Sequence, residues 1–267
     1  MIIIGERLNS NRPAVRDALA RRDRAFLIDE ARLQVRSGAG YLDLNAATLL
    51  EREKEGLCWA VPLLQKAVDV PLSLDTPDPE AMEAALQVHR GRAFLNSLTG
   101  EDKKLRKLLP MIRDHTPRVI VLCLDDYGPA PTPERALAIA QRVSGLLIEQ
   151  GVAPTDIFID PLLRPLGTDR NSAVRFLDSL RKIKQWIPGV KTVVGLSNVS
   201  FGLPQRRLFN RTMLALAVEA GLQAAICDPL DSDLRAAMAA SEALLGLDPS
   251  LGRFLRFFRE RVRKRKD

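Results

Sequence analysis

Histidine and cysteine are scarce in this 267-residue chain: two of the first, His89 and His115, and three of the second, Cys58, Cys123 and Cys227. Neither histidine is spaced to another His or Cys as a zinc site needs, so no protein-bound metal is expected. The cysteines are odd in number and widely spaced, and Cys123 and Cys227 fall inside predicted strands, where each reads as a buried structural thiol. Long hydrophobic runs are missing as well. No stretch approaches the roughly 20 apolar residues that cross a bilayer. The opening Ile2-Ile3-Ile4-Gly5-Glu6-Arg7 reads directly as a first strand rather than as a signal peptide, so a cytoplasmic protein is expected. Low-complexity linkers and internal repeats are also absent, which leaves no place for a second domain.

What is present begins with charge. The net charge is +7, but residues 253–267 hold eight basic and two acidic residues and contribute +6 of it. A basic last turn suits a helix C-terminus, and one tail is not the broad basic stripe of a nucleic-acid-binding surface. Nucleic acid is excluded as the main partner. A hydrophobic fraction of 46% supports a large core and argues against disorder.

Eight short apolar runs end in polar residues. Residues 2–4 lead into Glu6, 41–44 contain Asp43 and lead into Asn45, 72–74 lead into Asp75, and 93–95 into Asn96. Residues 119–124 lead into Asp125 and Asp126, 157–159 into Asp160, 192–196 into Asn198, and 224–227 into Asp228. Helical periodicity fills the gaps. A single helix is expected over residues 12–38, and helix starts at Asp78-Pro79-Glu80 and Thr132-Pro133-Glu134, each with an N-cap, a proline at the first position and an acid for the dipole. Further helices are expected over 172–187, 210–221, 232–245 and 254–263. Alternating strands and helices, eight times over, predict an α/β fold of the (β/α)8 TIM-barrel class. The expected division is a barrel over residues 1–250 and a basic C-terminal helix or tail over 251–267. Long connections after strands, at 125–133, 162–171 and 199–209, would carry binding or gating roles.

In such a barrel the strand ends share one mouth. Asp43, Asn45, Asp75, Asn96, Asp160 and Asn198 would therefore converge from five strands. Buried carboxylates need partners, and a ligand rich in N–H donors supplies them. Carboxylates accept while carboxamides both accept and donate, so the set suits a flat heterocycle such as an aminopyrimidinone. A Mg²⁺ site is the rival use of acidic strand ends; the interleaved carboxamides and the lack of a phosphate-binding glycine loop weigh against it. Any one of these acids could instead cap the helix that follows it, Asp228 above all.

The ordered segments IIIGERLN (2–9), LDLN (42–45), LSLD (72–75), LNS (95–97), IDPL (159–162), GLSNVS (195–200) and NRT (210–212) resemble the methyltetrahydrofolate:corrinoid methyltransferases of the pterin-binding superfamily, over residues 1–247. The resemblance implies a (β/α)8 barrel that moves a methyl group between N5 of tetrahydrofolate and the cobalt of a corrinoid. It implies that Asp75, Asn96 and Asp160 hydrogen-bond the pterin. Asn198 and Asp160 would be the catalytic residues, with Asn198 near N5, where an oriented carboxamide oxygen stabilises the protonated amine that lets the methyl leave. Asp43, Asn45 and Glu6 would shape the pocket wall and orient Asp75 or Arg7, Ser197 would join the pterin-binding set beside Asn198, Arg206 would face the site, and Phe201 would stack on the pterin or close the site. Two departures, Phe201-Gly202-Leu203-Pro204 after GLSNVS and the Asp125-Asp126 pair, bear on the acceptor and on the direction of transfer.

The cobalamin-binding signature Asp-x-His-x-x-Gly is absent: the chain reads Gln87-Val88-His89-Arg90-Gly91. The corrinoid is therefore expected on a separate protein that docks over the barrel mouth, and the resemblance also implies a homodimer. The alternatives are a dihydropteroate synthase-like pterin enzyme and a non-catalytic folate-binding barrel. Against the first, Asp160-Pro161-Leu162-Leu163 stands where a synthase has Asp-Pro-Gly, and the late Ser-x-Arg/Lys signature is missing.

Overall fold

The computed structural model describes the backbone of residues 1–263 and side chains through residue 259. Eight strands pair in parallel and close on themselves: β1 (Ile2–Asn9), β2 (Tyr41–Asn45), β3 (Leu72–Asp75), β4 (Phe94–Thr99), β5 (Arg118–Leu122), β6 (Ile157–Asp160), β7 (Lys191–Gly195) and β8 (Ala224–Cys227). Each strand pairs with the next in the chain, and β8 returns to β1. This is the (β/α)8 TIM barrel that the eight apolar runs predict.

The helices that wrap it are α1 (Pro13–Arg21), α2 (Arg24–Arg36), α3 (Glu53–Ala67), α4 (Pro79–Val88), α5 (Asp102–His115), α6 (Pro133–Glu149), α7 (Ser172–Trp186), α8 (Arg206–Glu219), α9 (Ser232–Leu244) and α10 (Gly252–Arg263). Two starts occur as the sequence predicts. Asp78 accepts from the Glu80 N–H at 3.0 Å, and Thr132 from the Arg135 N–H at 3.2 Å. Among the described residues no helix is long and apolar enough to cross a membrane. Residues 264–267 of the basic tail lie outside the described residues, and α10 packs on α9, with Arg235 5.2 Å above the Phe257 ring.

Side chains alternate along a strand, so every second residue points into the barrel. Ile4, Phe94, Ile120, Phe158, Val193 and Ala224 fill its middle, with Ile2, Tyr41 and Ile226 packed against them. The rings meet edge-on: Tyr41 to Phe94 at 4.6 Å between centroids, and Phe94 to Phe158 at 4.7 Å. This apolar plug blocks the channel. Two residues further toward the C-terminal ends stand Glu6, Asp43, Asn96, Leu122, Asp160 and Gly195, and alternation therefore delivers a polar layer on top of a dry floor.

Four local expectations change. The single helix over 12–38 is two, because Arg22 adopts a left-handed conformation (φ 57°) and the Asp23 carboxylate caps the next start by accepting from the Phe26 N–H at 3.1 Å. Strand five ends at Leu122, and residues 124–129 fold into a small antiparallel hairpin instead. Residues 196–198 form a 3-10 turn, not a strand end. Helix α8 begins at Arg206, so the loop expected over 199–209 is shorter. Gly5 is required by close packing: a Cβ there would fall 2.3 Å from Gln34 Oε1, the acceptor of the Arg7 N–H.

Candidate active site

A cavity of about 670 Å³ opens at the C-terminal face of the barrel. Glu6, Asp43, Asp75, Asn96, Asp160, Ser197, Asn198 and Arg206 all line it. Asn45 and Phe201 do not. Asn45 stands behind Asp75, and Phe201 is 67% exposed beside the mouth.

The register of β2, β3 and β4 sets the first wall. Asp43 lies opposite Ser73, Asn45 opposite Asp75, and Asp75 opposite Asn96. Asp43 Oδ1 accepts from Ser73 Oγ at 2.7 Å and from Asn96 Nδ2 at 3.0 Å. Because Asn96 donates its amide nitrogen to Asp43, its carbonyl oxygen remains to face a donor on a ligand. Asn45 Nδ2 donates to Asp75 Oδ2 at 3.0 Å, and its own Oδ1 accepts from Ser10 Oγ at 2.9 Å and the Ala47 N–H at 3.1 Å. Two donors on one end leave the amide no choice of orientation.

Across the cavity, Asp160 ends β6. Its Oδ1 accepts from the Leu162 N–H at 2.8 Å and its Oδ2 from the Gly195 N–H at 3.4 Å. The turn after β7 is anchored at both sides. Ser197 Oγ donates to Glu6 Oε1 at 2.7 Å, while Arg206 donates to Ser197 O at 2.9 Å and to Ser200 Oγ at 3.1 Å. The Arg206 guanidinium also lies 5.9 Å from the centroid of the Phe201 ring. Between these anchors the Asn198 side-chain amide is exposed and makes no hydrogen bond to the protein among the described residues. It rests against Gly195, where a Cβ would come within 3.0 Å of its Nδ2.

Burial governs the electrostatics. Asp160 is pushed up to about 7 by desolvation, only partly offset by its two backbone donors. Asp75 and Asp43 are both raised, chiefly because burial disfavours their charge; for Asp75 the Asp43 carboxylate adds to the rise, and for Asp43 the Glu6 carboxylate does. Glu6 is raised by burial against the opposing Ser197 hydrogen bond. Four acids with raised pKa at one mouth form a site that favours N–H donors able to stabilise the anions. Among the described residues no group of three or more His, Cys, Asp or Glu is arranged to hold a metal ion.

The remaining acids divide. Asp228 lines the cavity and also closes its own turn, accepting from the Leu230 N–H at 2.9 Å and from Arg7 at 3.0 Å. Asp125 and Asp126 turn away: Asp125 pairs with Arg135 and Asp126 accepts from the Asp102 N–H at 3.1 Å. Strand five supplies Leu122 to the cavity instead. Sequence reasoning missed Ser73 and Ser10, which orient Asp43 and Asn45, and the Arg7–Asp228 pair, whose partners lie 221 residues apart. Alternation could have flagged Ser73, which shares the inward face of β3 with Asp75; nothing local could have flagged the other two.

Residues 5–228 match the family described as pterin binding enzyme. The chain is 35% identical over 262 residues to a methylcorrinoid:tetrahydrofolate methyltransferase of Eubacterium limosum, covering 97% of each chain. It is 30% identical over 239 residues to the methionine synthase of Mycobacterium leprae, covering 85% of this chain and 20% of that longer protein. A dihydropteroate synthase from Thermus thermophilus shares the fold, with a TM-score of 0.65 at 24% identity over 82% of this chain and 89% of the other. The polar ring above an apolar plug, and the match over most of the barrel, lead to one assignment: the chain belongs to the pterin-binding enzyme family.

Proposed function

We propose that this protein is a methyltransferase that moves a methyl group between N5 of tetrahydrofolate and the cobalt of a corrinoid carried on a separate protein. The observation that carries the reading is the uncommitted Asn198 amide, held over a mouth of buried acids by the Glu6–Ser197 and Arg206–Ser197 contacts. The near full-length similarity to a methylcorrinoid:tetrahydrofolate methyltransferase supports it.

The pterin ring lies on the floor. Asp75, Asn96 and Asp160 accept its amino and ring N–H groups, and Asn45 and Ser73 hold the first wall in shape. As the N5–methyl bond breaks, its electron pair stays on N5, which takes up a proton; the cobalt supplies the pair for the new bond when the corrinoid is bound. The Asn198 carbonyl oxygen accepts from protonated N5 without forming an ion pair that would retain the product. Asp160 and Asp75, raised by burial, bind the pterin N–H groups as anions whose charge the ligand's donors stabilise, and the proton taken up by N5 comes from solvent. No Ser or Cys nucleophile is needed, and both Cys123 and Cys227 are held as thiols by burial.

The barrel of residues 1–250 is the catalytic unit, residues 251–267 an appended basic segment, and the assembly a cytoplasmic homodimer that docks its corrinoid partner over the mouth. The test is anaerobic mixing of the protein with methyltetrahydrofolate and a reduced cobalt(I) corrinoid. Enzyme-dependent loss of the cobalt(I) band with growth of methyl-cobalt is expected. Product from a hydroxymethyl-dihydropterin diphosphate and 4-aminobenzoate, with no methyl transfer, would establish a synthase instead.

A further inference from the structure

Helix α10 has two unlike faces. Phe254, Phe257 and Phe258 are half-buried and pack on one another, with ring centroids 4.7 Å apart for Phe254–Phe258 and 5.3 Å for Phe257–Phe258, and Arg235 of α9 covers Phe257. Arg256 and Arg259 are exposed and make no ion pair or hydrogen bond from their side chains among the described residues. The acids along α9 and at its two ends are engaged elsewhere: Glu242 and Asp248 with Arg253, Asp231 and Asp233 with Arg211. The same segment concentrates the charge of the chain, since residues 253–267 contribute +6 of the net +7.

The course of α10 carries this charge toward the mouth. Arg253 meets Glu242 near the C-terminal end of α9, while Phe257 meets Arg235 close to its start, so the two helices run antiparallel. Helix α9 starts at the mouth face, where Asp231 and Leu234 line the cavity. Helix α10 therefore climbs from the closed end of the barrel to the open one. Its backbone continues six residues beyond Phe257, about 9 Å at the helical rise, whereas α9 begins three residues before Arg235. The end of α10 thus stands about one turn above the start of α9, at the rim.

A corrinoid protein must bring its cobalt over this cavity, and an interface of standard size covers about 800 Å² on each partner, a patch about 30 Å across. A protein centred on the mouth therefore spans the rim where α10 ends. Exposed guanidinium groups there select a partner by its carboxylates. A lipid surface fits less well: a helix lying in a membrane needs its apolar face free, and the phenylalanines of α10 are spent on one another and on α9. Resting on the reading of a corrinoid protein as partner, we propose that α10 is a docking helix, which recognises a carboxylate-rich surface of that protein through Arg256 and Arg259.

The test compares the full-length wild type with the Arg256→Glu/Arg259→Glu variant. Methyl transfer is followed to free cob(I)alamin, which needs no docking, and to a corrinoid protein that the wild type methylates. In the variant the KM for the corrinoid protein should rise about tenfold, the lower end of what electrostatic steering contributes. Its kcat, its rate with free cob(I)alamin and its folate dissociation constant should match wild type. The wild-type KM should climb with salt while that of the variant stays nearly flat. Fluorescein-labelled poly-L-glutamate, a plain carboxylate surface, should bind wild type, compete with the corrinoid protein and bind the variant far less. Arg256→Lys/Arg259→Lys should stay near wild type, because charge is what is read. An unchanged KM in the Glu variant overturns the inference. So does binding to phosphatidylserine vesicles with that KM unchanged, which would assign the helix to a lipid surface. An equal loss with free cob(I)alamin would trace the effect to the fold or the active site and overturn it as well. If neither acceptor is methylated by wild type, the methyltransferase reading itself falls, an outcome distinct from intact transfer that ignores α10.

Discussion

Asn45 donates to Asp75 across the β2–β3 pair at 3.0 Å, while Ser10 Oγ and the Ala47 N–H lock the other end of its amide. The carboxamide does not line the cavity, yet it decides which oxygen of Asp75 is left for a ligand.

Removing that donor should be felt as binding. Asn45→Ala deprives a buried carboxylate of a hydrogen bond of the class worth about 1.5–3 kcal/mol and pushes Asp75 further up. Methyltetrahydrofolate should bind about tenfold more weakly, as read by fluorescence titration, with kcat under saturation changed far less. An unaffected dissociation constant would show that Asp75 does not hold the pterin.

Asp160 gives a pH prediction with two opposite signs. Its folded pKa, about 7, lies above the unfolded 3.8, so between those values the folded state binds more protons and its stability falls as pH rises. Asp160→Asn removes this dependence, and the ligand-free variant should gain several degrees in Tm over wild type at pH 8 and little at pH 4. Folate binding uses the anion and should run the other way in wild type, weakening as pH falls through about 7. In Asp160→Asn binding should be weak and nearly flat with pH. A variant whose affinity still tracks that window would place the titrating group elsewhere.

Turnover should depend on Asn198 more than binding does. Asn198→Ala should lower single-turnover methyl transfer by about 10²-fold, the scale for losing one charge-stabilising donor or acceptor, with folate affinity kept. Gly195→Ala tests the same point from behind. Its backbone sits at φ −76°, open to alanine, but the new Cβ would crowd Asn198 Nδ2 at 3.0 Å. A roughly tenfold loss of rate, with Asp160 still receiving the residue 195 N–H, is expected. Full activity in both variants would remove Asn198 from the reaction.

The floor should be structural alone. Phe94→Ala empties the centre of the Tyr41–Phe94–Phe158 cluster and should cost about 3–5 kcal/mol in urea unfolding. Loss of methyl transfer with unchanged stability would mean the plug is not packed as described.

Much of this site was legible in the chain because a barrel converts position along a strand into position in space. Asp75, Asn96 and Asp160 each close an apolar run and Asp43 sits inside one, and alternation sends them all to one mouth. The same logic misplaces Asp125 and Asp126, because strand five stops at Leu122 and the hairpin beyond it spends both acids on Arg135 and on the start of α5. The break between α1 and α2 was hidden as well. No glycine or proline marks it, and Arg22 takes the left-handed conformation that a sequence reading assigns to Gly or Asn.

The amino-acid sequence by itself determined the barrel, the polar layer and its acceptor-rich chemistry, since hydrophobic period and strand-end residue type are local properties. Tertiary structure alone decided which polar groups are spent and which are free. Asn96 and Asn45 face inward by the same rule, but Asp43 claims the nitrogen of one and Ser10 orients the other. Asn198 is left uncommitted because Glu6, 191 residues from Ser197 in the chain, holds the turn from the far side of β8. Hydrogen-bond partners follow from distance in space, and only the closed barrel brings β1 and β7 close enough to make them.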